Sequence, residues 1–360
     1  MMDFMEMSAT RNQPVGELEM QSAPHPGCVL CGSGGEFVHK GLRDRLFGAS
    51  GSWNLKRCTD PRCGILWLDP MPLKEELWKA YRTYYTHSTK VAATSPGPLK
   101  RLYLRAKRGY WAARYGYGAA SESFLTRAMG VLLYLFPVRR ADVDEEVRFL
   151  PCVPGGCLLD VGCGSGEWLA LMRRFGWQVR GNDFDANAVQ VATGMGLDVG
   201  CGPLEEQRYP SESFDAVVLH HVLEHVPDPV GTLRECARIL KPGGRVLAFT
   251  PNSRSFGHWL FGEHWRGLEP PRHLQIMTPE TLGDALTNAG FAEVSSRTLN
   301  SCYVLGQSYR LWRAKGAGIG QGRTEGNRSL VAIMLAVIEL IVLQFNRSAG
   351  ECLFAVGVKR

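Results

Sequence analysis

Three groups of residues have types and spacings suited to chemistry. The first is Asp160-Val-Gly162-Cys-Gly164-Ser-Gly166, which follows the apolar run Cys157-Leu-Leu and precedes an apolar-periodic stretch from Glu167. The glycines thus occupy a strand–loop–helix turn, where they let the backbone bend and approach a ligand while the new helix offers unpaired N–H groups. The spacing departs from the dinucleotide pattern G-x-G-x-x-G, since the sixth position from Gly162 is Glu167. Asp160 suits a ligand bearing an ammonium group better than a pyrophosphate. Asp183, at the end of the next apolar run and 17 positions after Gly166, stands where such folds place an acid that takes both ribose hydroxyls.

The second group is rich in histidine and arginine. His220, His221, Glu224 and His225 follow a buried strand over 213–221, beyond the carboxyl end of which a base for an acceptor hydroxyl belongs. His221 is the preferred base, and His220 is counted among the cofactor-binding residues. A long insertion over 252–273 carries His264, Arg272 and His273; it is expected to cover an acceptor, with Arg272 available for a phosphate or carboxylate. The third group is Cys28-Val-Leu-Cys31-Gly and Cys58-Thr-Asp-Pro-Arg-Cys63-Gly. Two such knuckles make a closed four-thiolate site for structural zinc, a staple that so small a unit needs.

The elements that must position these groups alternate. Strands near 157–161, 178–183, 197–199, 213–221 and 245–250 are separated by helical stretches, with Asp185 capping one helix and 228–240 forming another. That alternation gives an α/β fold with a parallel, doubly wound sheet. The pattern D-x-G-x-G-x-G, the acid ending the second strand, FDAVVLHHVLEHV and LKPGG resemble the class I, seven-strand S-adenosylmethionine-dependent methyltransferases, over about 151–300 and the final strand. The resemblance implies a Rossmann-like seven-strand sheet, a glycine loop on the methionyl part of S-adenosylmethionine, Asp183 on its ribose, and the loop 202–205 along its adenine. Pro203 stands where many members carry an acid, so Leu204 and backbone amides take the adenine contact. The cysteine module and the phrase HWRGLEPPRHLQIMTPETL also resemble bacterial members found among glycan- and lipid-modifying enzymes.

Composition bounds the rest. Of 360 residues, 45% are hydrophobic and 21% charged, an ordinary globular balance, and eleven cysteines, four of them in two close pairs, fit metal and free thiols better than a disulfide frame. Residues 1–24 read as a disordered N-terminus with no apolar signal core, 25–70 as the zinc module, 71–150 as a helical, basic and apolar linker region, and 151–360 as the methyltransferase domain. The net charge of +6 is concentrated: residues 98–140 hold nine basic side chains against Glu122, leaving 32 basic against 34 acidic elsewhere. In that stretch Leu99, Leu102, Tyr103, Ala106, Tyr110 and Ala113 share one helical arc, and a short apolar run over 128–136 suits a helix lying in a membrane interface.

A hydrophobic helix over 329–346 is the most apolar segment, yet too short to span and interrupted by Glu339. Two signals of this kind support stable peripheral attachment. The reading is a cytoplasmic enzyme at the inner face of an anionic membrane, O-methylating a lipid or lipid-linked glycan. Two alternatives stay open: an RNA methyltransferase, with Tyr103, Tyr110, Trp111, Tyr115 and Tyr117 stacking bases of a nucleic acid partner, and a non-catalytic binding module that keeps the fold.

Overall fold

The computed structural model describes residues 19–82, 97–119, 121–314 and 329–360. The N-terminal module consists of strands Ser22–Ala23 (β1), Gly35–Leu42 (β2), Trp53–Cys58 (β3), Leu66–Leu68 (β4) and Met71–Pro72 (β5). Of the segment expected to be disordered over 1–24, residues 1–18 lie outside the described residues. The remainder is ordered by contacts: β1 pairs with β5, and Met20 is buried. Strands β2, β3 and β4 form an antiparallel sheet in which Trp53 and Leu55 alternate inward, as the two-residue period of a strand requires.

A 3-10 turn, Lys74–Tyr81, leads to helices Pro98–Tyr115 (α1), Phe124–Gly130 (α2) and Pro137–Glu146 (α3), with a 3-10 turn Val131–Leu135 between the last two. Gly109 looks like a weak point of α1 by propensity, but it is where α1 and α2 cross. A Cβ there would lie 1.8 Å from the Thr126 carbonyl oxygen, and one on Gly130 would lie 2.4 Å from the Tyr110 nitrogen. The aromatic side chains of α1 point inward. Tyr110 and Tyr115 each donate to Asp144 at 2.7 Å, Trp111 donates to the Val143 carbonyl and Tyr117 to that of Leu150. These four are buried, so the base-stacking platform of the RNA reading is absent from this surface.

The remaining strands are Cys157–Val161 (β6), Gln178–Asp183 (β7), Asp198–Cys201 (β8), Phe214–His220 (β9), Leu240–Pro251 (β10), Gln275–Ile276 (β11), Phe291–Leu299 (β12) and Cys352–Lys359 (β13). Helices Glu167–Arg174 (α4), Ala186–Gly194 (α5), Pro229–Ile239 (α6), Phe256–Phe261 (α7), Pro279–Asn288 (α8), Cys302–Arg313 (α9) and Leu330–Phe345 (α10) connect them. Seven strands form one sheet in the order β12-β13-β10-β9-β6-β7-β8; β8 to β10 run parallel, and β13 is antiparallel to both its neighbours. Both faces are covered. Leu159, Val217 and Val246 pack into the core on one side, Leu158, Val218 and Leu247 into that on the other, which is why these strands read as unbroken apolar runs.

Strand β11 does not join this sheet. It adds antiparallel to β4, with Gln275 opposite Trp67, so the cysteine module's sheet is completed by the larger domain. Phe256, Phe261, Trp265 and Leu268 of the insertion share a core with Trp53, Leu55 and Leu66. The insertion over 252–273 is thus, in large part, the mount for the N-terminal module. Helix α10 packs against this core through Ala332, Leu335 and Ala336, with Glu339 buried on the same side. Among the described residues, no helix is long and apolar enough to cross a membrane.

Candidate active site

The glycine loop leaves β6 with Gly162, Gly164 and Gly166 all in the left-handed region, at φ of 71°, 55° and 78°. The loop is pinned to β7: Gly162 and Cys163 donate to the Asn182 carbonyl, and Gly164 donates to Asp183 Oδ2 at 2.8 Å. A Cβ on Gly162 would meet Val222 at 2.7 Å and one on Gly166 would meet Leu197 at 2.5 Å, whereas one on Gly164 would enter open space. Gly164 therefore faces the ligand side. Asp183 also accepts from the Asp185 N–H at 2.9 Å, and Asp185 caps α5 through the Asn187 N–H.

Beside the loop lies a cleft lined by Gly162, Asp183, Phe184, Leu204, Val222 and Thr232, among others. An acid at one end and apolar walls along the rest suit a ribose joined to a flat base. Phe184, exposed next to Asp183, carries no motif signal; its only mark in the sequence is an aromatic residue directly after the strand-ending acid. Leu204 is buried against the cleft, and Glu205 accepts from the Thr232 hydroxyl at 2.9 Å, which fixes its carboxylate at the rim.

Asp160 is completely buried, and one oxygen is paired with Arg148, whose guanidinium lies 3.8 Å above the Trp168 ring. Burial raises its pKa to about 6, against the pull of Arg148. The ammonium partner anticipated for Asp160 is thus met on one side by an arginine, while Oδ2 has no hydrogen-bond partner among the described residues. Arg148 escaped the sequence reading because it precedes the strand and belongs to no motif. Its φ of 49°, followed by 53° at Phe149, marks an unusual turn that only the structure shows.

At the carboxyl end of β9, His220 lies 3.6 Å from Glu145, and burial together with Arg148 lowers its pKa to about 4, so it is neutral. His221 follows with φ of 59°, and its side chain is 34% exposed. Its Nδ1 lies 2.9 Å from Glu224 Oε1, and Cys352 is in hydrogen-bond contact with the same imidazole. Burial opposes a charge on His221, but Cys352 and Glu224 overcome it and raise its pKa well above the ordinary value. Burial likewise opposes a charge on Glu224, and the His221 hydrogen bond outweighs it, holding the carboxyl at about 2. The result is a carboxylate-oriented imidazole just past the carboxyl end of β9.

The other residues proposed to face an acceptor lie elsewhere. Arg272 is fully buried; it donates to Glu269 and to Asp44 at 2.8 and 2.9 Å and to the Ala80 carbonyl at 3.0 Å, with Phe47 under its guanidinium. His273 is buried with Nδ1 on the Gly267 carbonyl at 2.7 Å and its ring 4.7 Å from that of His225; burial and His225 lower its pKa well below the ordinary value. His264 contacts Arg45, and burial, then Arg45, lowers its pKa. Arg272 and His264 therefore tie the insertion to Asp44, Ala80 and Arg45, whereas His273 is held within the insertion and against His225; Arg272 and His273, expected to face an acceptor, are directed at protein partners instead. Pro270-Pro271, a cis peptide bond, leads into them.

In the N-terminal module Cys28, Cys31, Cys58 and Cys63 bring their sulfurs within 4.8 Å of one another, 3.7 Å for Cys28–Cys63 and 3.4 Å for Cys31–Cys58. A tetrahedral zinc with about 2.3 Å bonds would hold sulfurs roughly 3.8 Å apart, so this set fits the ion. Thr278 donates to the Cys63 carbonyl at 3.2 Å and ties the knuckle to the larger domain.

A family profile described as a methyltransferase domain matches residues 138–296. The ubiquinone biosynthesis O-methyltransferase of Cereibacter sphaeroides strain KD131 is 34% identical over 169 residues, which is 44% of this chain and 68% of that protein. The enzyme of the same description from Idiomarina loihiensis is 36% identical over 161 residues, 41% of this chain and 64% of that protein. The chain thus spans about two thirds of the length of these relatives. A SAM-dependent methyltransferase from Archaeoglobus fulgidus superposes with a TM-score of 0.41 at 22% identity, covering 57% of this chain and 86% of that one.

Proposed function

This chain belongs to the S-adenosylmethionine-dependent methyltransferases, and from that premise we propose that it O-methylates a lipid or lipid-linked saccharide at the inner face of an anionic membrane. The observation that carries the oxygen acceptor is the His221–Glu224 pair just past the carboxyl end of β9, next in sequence to Val222 of the cleft wall, since a hydroxyl must lose a proton as it is methylated. The relatives named O-methyltransferases support the same acceptor atom.

In this reading the backbone at Gly164 and the carboxylate of Asp183 hold the methionyl and ribose parts of S-adenosylmethionine, Leu204 and Phe184 flank the adenine, and Asp160 Oδ2 and the neutral His220 face the amino-acid end. When bound, the cofactor supplies a methyl group on a sulfonium. The protein aligns the acceptor oxygen with that methyl and takes the hydroxyl proton on His221. Glu224 keeps Nδ1 of the imidazole engaged and stabilises the imidazolium that forms. The four cysteines hold a structural zinc with no open position, so the metal keeps the module folded and takes no part in the transfer.

The test is to incubate the full chain and its His221→Ala variant with methyl-labelled S-adenosylmethionine and a membrane lipid extract. Label that enters the organic phase with the wild type and is lost with the variant supports the reading. Label appearing only when RNA is supplied, or in neither, contradicts it.

A further inference from the structure

Helix α10 has its sides reversed relative to an ordinary surface helix. Its one acidic side chain, Glu339, is completely buried; it accepts from the Glu351 backbone N–H at 2.9 Å and contacts Asn300. Its apolar side chains Met334, Val337 and Ile341 point outward, and its ends, Leu330 and Phe345, are 87% and 88% exposed. Because Glu339 satisfies its oxygens within the protein, nothing polar interrupts the outer face between Leu330 and Phe345 except Gln344. At about 1.5 Å per residue the helix is roughly 24 Å long, which is too short for a crossing and long enough to lie flat.

This face continues onto its neighbours. Helix α9 packs on α10 and exposes Tyr303 and Trp312, and α7, which packs on α9, exposes Trp259. On the other flank Val138, in the first turn of α3, packs against the core that contains Leu305 and Leu335, which brings the exposed Leu135 and Phe136 alongside. Exposed cations stand next to these apolar residues: Arg313 beside Trp312 at the end of α9, Arg347 just past α10 and Arg139 close after Phe136 on α3; Lys100, Arg101 and Arg105 are exposed on α1. An apolar centre with aromatic and cationic edges matches the layering of a bilayer surface, in which acyl chains lie beneath anionic head groups. The stretch 98–140, which contains Leu135, Phe136 and Arg139, carries a charge of +8.

We propose that the outward face of α10, flanked by Trp312 and by Leu135–Phe136, is the surface on which this protein lies against an anionic bilayer, with α10 parallel to the membrane plane. This deepens the membrane reading above and rests on it. A second copy of the chain would bring one cationic border against another, which disfavours self-association through this face.

The test uses flotation of the full chain with vesicles of phosphatidylglycerol and phosphatidylcholine, and with phosphatidylcholine alone, for the wild type, Met334→Glu/Ile341→Glu and Arg101→Glu/Arg105→Glu. Calorimetry with S-adenosylmethionine on each protein verifies that the cofactor site is intact. The expected result is wild-type flotation with the anionic vesicles only, falling by about tenfold in the first variant and falling also in the second. A Met334→Glu/Ile341→Glu variant that binds cofactor and floats like the wild type overturns the assignment of the face while sparing the membrane reading. A wild type that floats with neither vesicle overturns both. A wild-type dimer in sedimentation equilibrium that the same substitutions dissociate makes the face an interface between copies and also overturns the proposal.

Discussion

Two neighbours, Cys352 and Glu224, raise the pKa of His221, and for the proposed base the direction of the effect fixes a pH dependence. Only the neutral imidazole accepts a proton, and its pKa is raised, so the imidazolium dominates below that value. The rate is therefore expected to climb with pH above the ordinary histidine range and to level off on the alkaline side. Glu224→Gln removes the charge that raises the pKa and should move the rising limb to lower pH with a lower plateau; His221→Ala should reduce kcat by about 10²–10⁴-fold. A pH–rate profile unchanged by Glu224→Gln contradicts the pairing. Arg272 is a different case at the same scale. Removing it leaves Glu269 and Asp44 buried without their partner, so Arg272→Ala should cost about 3–5 kcal/mol in denaturant unfolding. A variant of normal stability with only a raised KM for the acceptor would restore Arg272 to the acceptor site.

At the scale of elements, the glycine loop and the capping Asp185 were legible because each is written in local sequence: turn residues and a cap. The partners of Arg272 were not, since Asp44 and Ala80 lie some 190 to 230 positions away in sequence and only the docking of the insertion brings them together. The orientation of α10 was likewise hidden. A helical wheel shows that Glu339 stands apart from the apolar arc, but whether that side meets water or protein depends on Asn300 and Glu351, which no periodicity reveals. The zinc knuckle belongs to this scale too. Metal analysis should find one zinc per chain, and Cys58→Ser or chelation should lower the Tm of the whole protein, because Cys63 and Thr278 link the knuckle to the larger domain. Full metal occupancy in Cys58→Ser would contradict a four-thiolate site.

Across the whole molecule, one shared sheet and one shared core make the module and the larger domain a single body. β11 pairs with β4, and Trp265 packs with Trp53 and Leu55 in the core that also receives α10. The parallel strands were readable because strands covered on both faces are near-continuous apolar runs, and completion of the sheet to seven strands was what the family resemblance implied. The boundary near residue 70 was not a structural one, as the module's last neighbour in its sheet comes from residues 275–276. The proposed division of labour puts the cofactor cleft at the carboxyl ends of β6 and β7 and the base at the end of β9, with the apolar face on α10. The cofactor site is the part on which the rest depends. Calorimetric titration of the full chain with S-adenosylmethionine, beside Asp183→Ala, tests it most directly: the account predicts saturable binding by the wild type that weakens at least about tenfold in the variant, and wild-type affinity in Asp183→Ala, or no binding by either protein, would contradict it.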